Sequence, residues 1–217
     1  MEAYISEIFY SLQMEGSFIG YPAAFIRFAG CNLNCDFCDT KYALVPKDTK
    51  KDDEICKIIS EFNTDRVIFT GGEPALYDDF MSYFIDKYGS YKFFLETNGT
   101  IFIKKSIKKF KHIVVSPKFF SIDEEVLNLY KRLSNSVEFK FVINNESEIE
   151  KVQVLSDKLG LYPLTLQPLF DNAQPVEKYV KKTKMLIEAF KNSSLANKEA
   201  RLIMQNHKVI YKEQRGV

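Results

Sequence analysis

The chain has 217 residues, is 46% hydrophobic, and carries 30 basic against 29 acidic side chains for a formal charge of +1. That length supports one substantial core and the composition excludes whole-chain disorder. The charge balance argues against non-specific nucleic-acid binding as the main role, while leaving room for a local basic pocket.

In chain order, the opening MEAYISEIFY lacks the basic start and apolar run of a secretory leader. No window is apolar for long enough to span a bilayer, so a cytoplasmic chain with no membrane partner is expected. Residues 23–29 (AAFIRFA) read as a strand running directly into CNLNCDFCDT (31–40). A helical stripe follows over 52–62, with Ile55, Ile58, Ile59 and Phe62 on one face. Strand 66–70 closes on Gly71-Gly72 and is followed by a helix over 78–87. Strand 92–97 closes on Asn98-Gly99, and the Lys-rich stretch 104–111 reads as a solvated helix face. Strand 112–116 is stopped by Pro117, then come a helix over 124–133 and a strand over 137–143. A helix over 146–159, a strand over 162–167 and a helix over 176–191 complete the pattern.

Alternating strands and helices with short links predict parallel β/α units. Six units fit, fewer than the eight of a closed barrel. The expected fold is therefore α/β, an open or partial (βα)6 barrel, with residues 1–217 as one domain. Four strands end in GGEP (71–74), ETNG (96–99), SPK (116–118) and LQP (166–168). Ligands of parallel β/α folds sit on the loops at such strand ends.

Three of the four cysteines, Cys31, Cys35 and Cys38, fall in eight positions. Clustered thiols point to metal or redox chemistry rather than a disulfide framework. The spacing C-x3-C-x2-C leaves a four-ligand site one protein ligand short. Cys56 lies within an apolar helical stripe, where a cysteine behaves as a small hydrophobe. His112 and His207 form no paired spacing with the loop and read as structural or surface residues. Two readings stay open: a zinc module with one further ligand, or a [4Fe–4S] cluster with one iron free for a small molecule.

The C-x3-C-x2-C loop followed by GGEP resembles the radical S-adenosylmethionine enzymes. Residues 6–40, with IF, QMEG, FIR, GCNL and CDT in order, resemble more narrowly the 7-carboxy-7-deazaguanine synthase family. The resemblance continues through ETNGT, SPK and LQP to QNHK (205–208). It implies a lyase of queuosine and deazapurine precursor biosynthesis. Its reaction contracts the ring of 6-carboxy-5,6,7,8-tetrahydropterin to 7-carboxy-7-deazaguanine with release of ammonia, after an adenosyl radical abstracts a substrate hydrogen. A glycyl-radical activase of the same superfamily is the alternative, and a non-catalytic metal module a more distant one.

The resemblance further implies roles for particular residues. Cys31, Cys35 and Cys38 would hold the [4Fe–4S] cluster. Phe37, Cys38, Asp39, Gly72, Glu73, Gly99, Ser116, Lys118 and Gln167 would meet S-adenosylmethionine, Glu73 by accepting from its ammonium. Leu12, Gln13, Met14, Glu15 and Thr97 would meet the pterin, and Arg27 its carboxylate. Thr40 would offer its hydroxyl to Mg2+. A reducing donor such as flavodoxin or ferredoxin and a homodimeric state are also implied. One departure concerns Met14, which replaces the first glycine of the family's QGEG; a changed loop path is expected there, because methionine tolerates positive φ poorly.

Overall fold

The computed structural model describes residues 1–46, 48–133, 136–212 and 214–216. Within them the chain forms β1 (Glu2–Leu12), β2 (Pro22–Phe28), β3 (Thr49–Lys51), α1 (Asp52–Ser60), β4 (Arg66–Gly71), α2 (Asp78–Lys87) and β5 (Lys92–Thr97). There follow β6 (His112–Val115), α3 (Glu124–Lys131), β7 (Ser136–Ile143), α4 (Glu146–Leu159), β8 (Leu164–Pro168), α5 (Val176–Lys191), β9 (Ala200–Leu202) and α6 (Asn206–Tyr211). The described strands form one sheet in the order β3-β1-β2-β4-β5-β6-β7-β8-β9, which does not close on itself.

All pairings from β2 to β9 are parallel, whereas β1 runs antiparallel to both β2 and β3. The six expected strands are β2 and β4 to β8, the frame of an open, partial β/α barrel. Strand side chains alternate between faces. One face buries Ile26, Phe28, Phe69, Phe93, Val115, Phe139 and Leu166 beneath the helices. On the opposite, concave face Phe25, Ile68 and Phe94 pack with Phe9 and Phe18. Arg27, Thr70, Glu96, Lys140 and Gln167 share the parity of these residues and line the central cavity.

Local chemistry sets the helix ends. In α1 the Glu54 carboxylate accepts the Lys51 N–H at 2.9 Å, and three acidic residues occupy its first turn, where they complement the helix dipole. Asp123 caps α3 by accepting from the Glu125 and Val126 N–H groups. Gly160 ends α4 in the left-handed region at φ 66°, donating its N–H to Ser156 O.

Two features depart from the simple succession of regular strands and helices. β1 carries a bulge between Ile5 and Glu7, where Ile5 opposes Phe28 and Glu7 opposes Arg27. The extra residue turns the strand over, so Ile5 joins the helix-covered core while Phe9 joins the concave face. The strand therefore shows no simple alternation. The Lys-rich stretch 104–111 is a loop with one 3-10 turn (Ile107–Lys109) rather than a helix. Asp78 holds it there, accepting the backbone N–H groups of Lys104, Lys105 and Ser106 at 2.7–2.9 Å.

Candidate active site

The cysteine loop leaves β2 at Phe28 and is fastened to the turn after β4. The Gly72 N–H donates to Phe28 O at 3.0 Å, and the Glu73 N–H to Gly30 O at 2.9 Å. Only glycine allows this approach. Gly71 has φ 123°, and a Cβ on Gly72 would stand 2.0 Å from Gly30 O.

Glu73 then ties this turn to the one after β5. Its Oε1 accepts from the Ala75 N–H at 2.8 Å and the Thr97 hydroxyl at 2.6 Å; its Oε2 accepts the Asn98 N–H at 2.6 Å. Asn98 completes the link by donating to Asn32 Oδ1 at 2.9 Å, beside Cys31. Glycines and one carboxylate thus lock three strand ends together.

Cys31, Cys35 and Cys38 are free thiols that line one cavity of about 270 Å3. Burial pushes all three thiol pKa values up. The Leu33 N–H points at Cys31 Sγ and the Thr40 N–H at Cys38 Sγ, both at 3.4 Å, a donor pattern that suits bound thiolates. Among the described residues no three Cys, His, Asp or Glu side chains gather about a single ion position.

Opposite the thiols stands a charged network. Gln13 donates to Glu96 Oε1 at 2.8 Å, and the Thr70 hydroxyl to Glu96 Oε2 at 2.7 Å. Lys140 pairs with Glu15, whose other oxygen is 3.2 Å from His207 Nδ1. Burial alone would raise the Glu15 carboxyl, but the Lys140 and His207 charges hold it below its ordinary value. Asp39 behaves likewise: its desolvation in the cavity wall is outweighed by the His207 hydrogen bond, the Lys208 charge and the Thr40 hydroxyl at 2.7 Å, so its pKa lies far below the usual range. Lys118 donates to Ser116 O and Oγ at 2.7 and 2.9 Å, and burial beside the Lys140 charge lowers its pKa to about 8.

Arg27 faces the cavity with its Nε on Glu7 Oε2 at 3.1 Å, and the Tyr42 hydroxyl donates to the same oxygen at 3.1 Å. Gln167 is 1% exposed, lines the cavity, and its Nε2 has no hydrogen-bond partner. A buried amide donor left open in this way fits a bound ligand.

Most of the expected site residues meet here: Leu12, Gln13, Met14, Glu15, Arg27, Cys31, Cys35, Phe37, Cys38, Asp39, Thr40, Gly72, Thr97, Ser116, Lys118 and Gln167 all line the cavity. Glu73 and Gly99 do not. Glu73 is 0% exposed with both oxygens engaged, which leaves its side chain no free face for a cofactor ammonium. Gly99 has φ 73°, and a Cβ there would stand 2.6 Å from Val115 Cγ1, so its place is dictated by packing. Met14 is not strained: among the described residues Lys212 alone of the non-glycines has positive φ, and Gly16 supplies the left-handed turn at φ 66°.

Glu96, Asn98, Lys140, Gln205 and His207 also line the cavity and were not anticipated as contacts. His207, read from sequence as structural or superficial, bridges Glu15 and Asp39. A signal for Lys140 exists in VEFKF (137–141), where two charges alternate with buried apolar residues.

Residues 25–194 match the model of the Radical SAM superfamily. The chain is 32% identical over 195 residues to the 7-carboxy-7-deazaguanine synthase of Aquifex aeolicus, covering 85% of each chain. It is 47% identical over 115 residues to the protein of the same name from Bacteroides thetaiotaomicron, a stretch spanning 52% of this chain and 60% of that relative. The fold is similar to the crystal structure of QueE from Escherichia coli (TM-score 0.72, 24% identity, 94% of each chain covered). It is also similar to native anSMEcpe with bound AdoMet (TM-score 0.58, 17% identity, 84% of this chain and 64% of that one).

Proposed function

The chain belongs to the radical SAM superfamily and, within it, to the 7-carboxy-7-deazaguanine synthase family, and from that footing we propose that it contracts 6-carboxy-5,6,7,8-tetrahydropterin to 7-carboxy-7-deazaguanine with release of ammonia. The family implies a [4Fe–4S] cluster and S-adenosylmethionine. When bound, that pair supplies one-electron cleavage of the sulfonium and abstraction of a substrate hydrogen atom. The observation that carries the reading is that three free thiols and an inward-facing charged network share one cavity.

Cys31, Cys35 and Cys38 would hold three irons, leaving the fourth for the cofactor's amino and carboxylate groups. Phe37 and Asp39 would meet its adenosine moiety and Gly72 would let the backbone approach it, with Gly99 contributing through the packing of the turn after β5. Lys118 and Ser116 supply a cation and a hydroxyl to the ribose or the carboxylate, and the open Nε2 of Gln167 supplies a donor. Glu73 acts from beneath, by locking the turns that face the ligand.

On the substrate side, Glu7 occupies only one edge of the Arg27 guanidinium, so the remaining N–H groups can grip the pterin carboxylate. Gln13, with its partner Glu96, offers a donor and an acceptor to the pterin edge, joined by Leu12, Met14 and Thr97. Glu15 is kept as a carboxylate by Lys140 and can accept a hydrogen bond from an amino group of the substrate. The Thr40 hydroxyl and the Asp39 carboxylate form a hard oxygen pair suited to Mg2+.

We place the enzyme in the cytoplasm, where thiols stay reduced, as a single domain that acts as a homodimer with a flavodoxin or ferredoxin as reductant. Among the described residues no helix is long and apolar enough to cross a membrane. Anaerobic reconstitution tests the proposal. It should give a brown protein with about four irons per chain, which forms the deazaguanine product from the tetrahydropterin, reductant, Mg2+ and S-adenosylmethionine. A reconstituted, cofactor-cleaving protein that leaves the pterin unchanged would sink it.

A further inference from the structure

Toward the amino ends of the parallel strands lies a second polar cluster that the proposed chemistry does not use. Its centre is Glu138 on β7, 0% exposed. Its Oε2 accepts from the backbone N–H of Ser17 at 2.8 Å and from the Ser17 hydroxyl at 2.5 Å. His112 Nε2 lies 3.3 Å from the same oxygen. Its Oε1 accepts the Thr165 hydroxyl and pairs with Arg201 Nη2 at 2.9 Å. Arg201 also donates from Nε to Thr165 Oγ1 at 2.8 Å and from Nη2 to Ser17 Oγ. One carboxylate thereby joins strands β6, β8 and β9 to the turn after β1.

Fold stability alone is a weak reason for such a group, since buried ion pairs roughly break even against apolar packing. The turn it grips is the more informative fact. Ser17 lies two residues from Glu15 and four from Gln13, both in the cavity wall. Lys140, the next residue of β7 on the same face as Glu138, holds Glu15. Two successive inward residues of one strand therefore grip residues 13–17 at two points. Gly16 turns between them at φ 66°, where a Cβ would press on Glu138 Oε2 at 3.3 Å. Phe18 continues the anchorage, its ring 4.8 Å from both His112 and Phe94.

We infer that Glu138, acting through Ser17 and backed by Arg201, is a positioning residue that sets residues 13–15 against the pterin substrate. The inference rests on the functional reading above. Ser17 is exposed to solvent, so Ser17→Ala deletes one hydroxyl without opening the core.

Steady-state kinetics on the reconstituted full chain should show KM for the tetrahydropterin raised about tenfold with kcat unchanged, equivalent to ~1.4 kcal/mol of lost ground-state binding. Glu138→Gln should move KM in the same direction, and Ser17→Thr, which keeps the hydroxyl, should restore it. An unchanged KM in both variants overturns the inference, and so does an equal loss of S-adenosylmethionine affinity, which marks general disruption. Hydrogen–deuterium exchange without any ligand reads the grip separately. Peptides covering 13–18 should exchange about tenfold faster in Ser17→Ala, with α4 and α5 unaffected. If the wild type forms no deazaguanine, the functional reading falls. The exchange arm then still decides whether Glu138 holds the turn, and unchanged rates there remove it.

Discussion

Two carboxylates in this molecule, Glu73 and Glu138, are equally inaccessible at 0% exposure, yet their titrations are displaced in opposite directions. Glu73, among the turns beside the cysteine loop, is raised by burial, and the neutral donors Thr97, Asn98 and Ala75 reverse this only in part. Glu138, at the other end of the strands, is also penalised by burial. The hydrogen bonds of His112, Ser17, Thr165 and Arg201 more than reverse the penalty and hold it well below the carboxylate range. The lesson is one of where charge is cancelled. The floor of the barrel neutralises itself, whereas the cysteine end is tied together by dipoles and glycines and leaves its cations and open donors facing the cavity.

The largest effect that would sharpen this contrast is at Gly72. A methyl group there meets the backbone oxygen of Gly30 at 2.0 Å, with no flexible side chain to move aside. Gly72→Ala should cost about 3 kcal/mol by overpacking, read by urea unfolding, and should lower cluster retention because the displaced turn carries the cysteine loop with it. A stable variant with full iron content would show that the two segments are not locked.

Next comes Glu138→Gln, expected to cost about 2 kcal/mol near neutral pH through lost charge-assisted hydrogen bonds. The sign with pH follows from its depressed pKa. Its contribution is fully present above the unfolded carboxylate value and is lost as pH falls through the folded one. The gap between wild type and variant should therefore narrow on acidification below about pH 4.3. A gap that widens there would break the comparison.

Smallest is Glu73→Gln. Its raised pKa means that its contribution is present below the unfolded value and is lost as pH rises through the folded one. An amide keeps two of the accepted bonds without burying a charge, so the cost should be about 1 kcal/mol at neutral pH. If this variant proved costlier than Glu138→Gln, the two carboxylates would not differ in the manner described.

How far these features could be read from the sequence depended on whether their cause was local. The glycine turns after β4 and β5 were legible because backbone approach leaves a residue signature, and helices α2, α4 and α5 have the bounds their periodicity predicts. β1 was not, since the bulge before Glu7 switches its buried face midway. The stretch 104–111 has the composition of a solvated helix face, yet Asp78, more than twenty residues away, decides its path. Gln13 and Glu15 would pass for ordinary turn residues without the family resemblance. Glu96, Lys140 and His207 become site residues only once three separated segments converge, and no spacing within one segment announces that.

The rims of the sheet carry a last consequence. An unclosed barrel exposes two strand edges, and a long bare edge is a template on which other chains can add. Here the rims are β3 and β9, each three residues long, and β3 reads Thr-Lys-Lys. At the β9 rim few unpaired N–H and C=O groups remain, while on the other side the two lysines of β3 stand beside Glu2–Tyr4, the part of β1 that β3 covers. The barrel can stay open for a ligand with its β9 rim blunted against strand-by-strand addition.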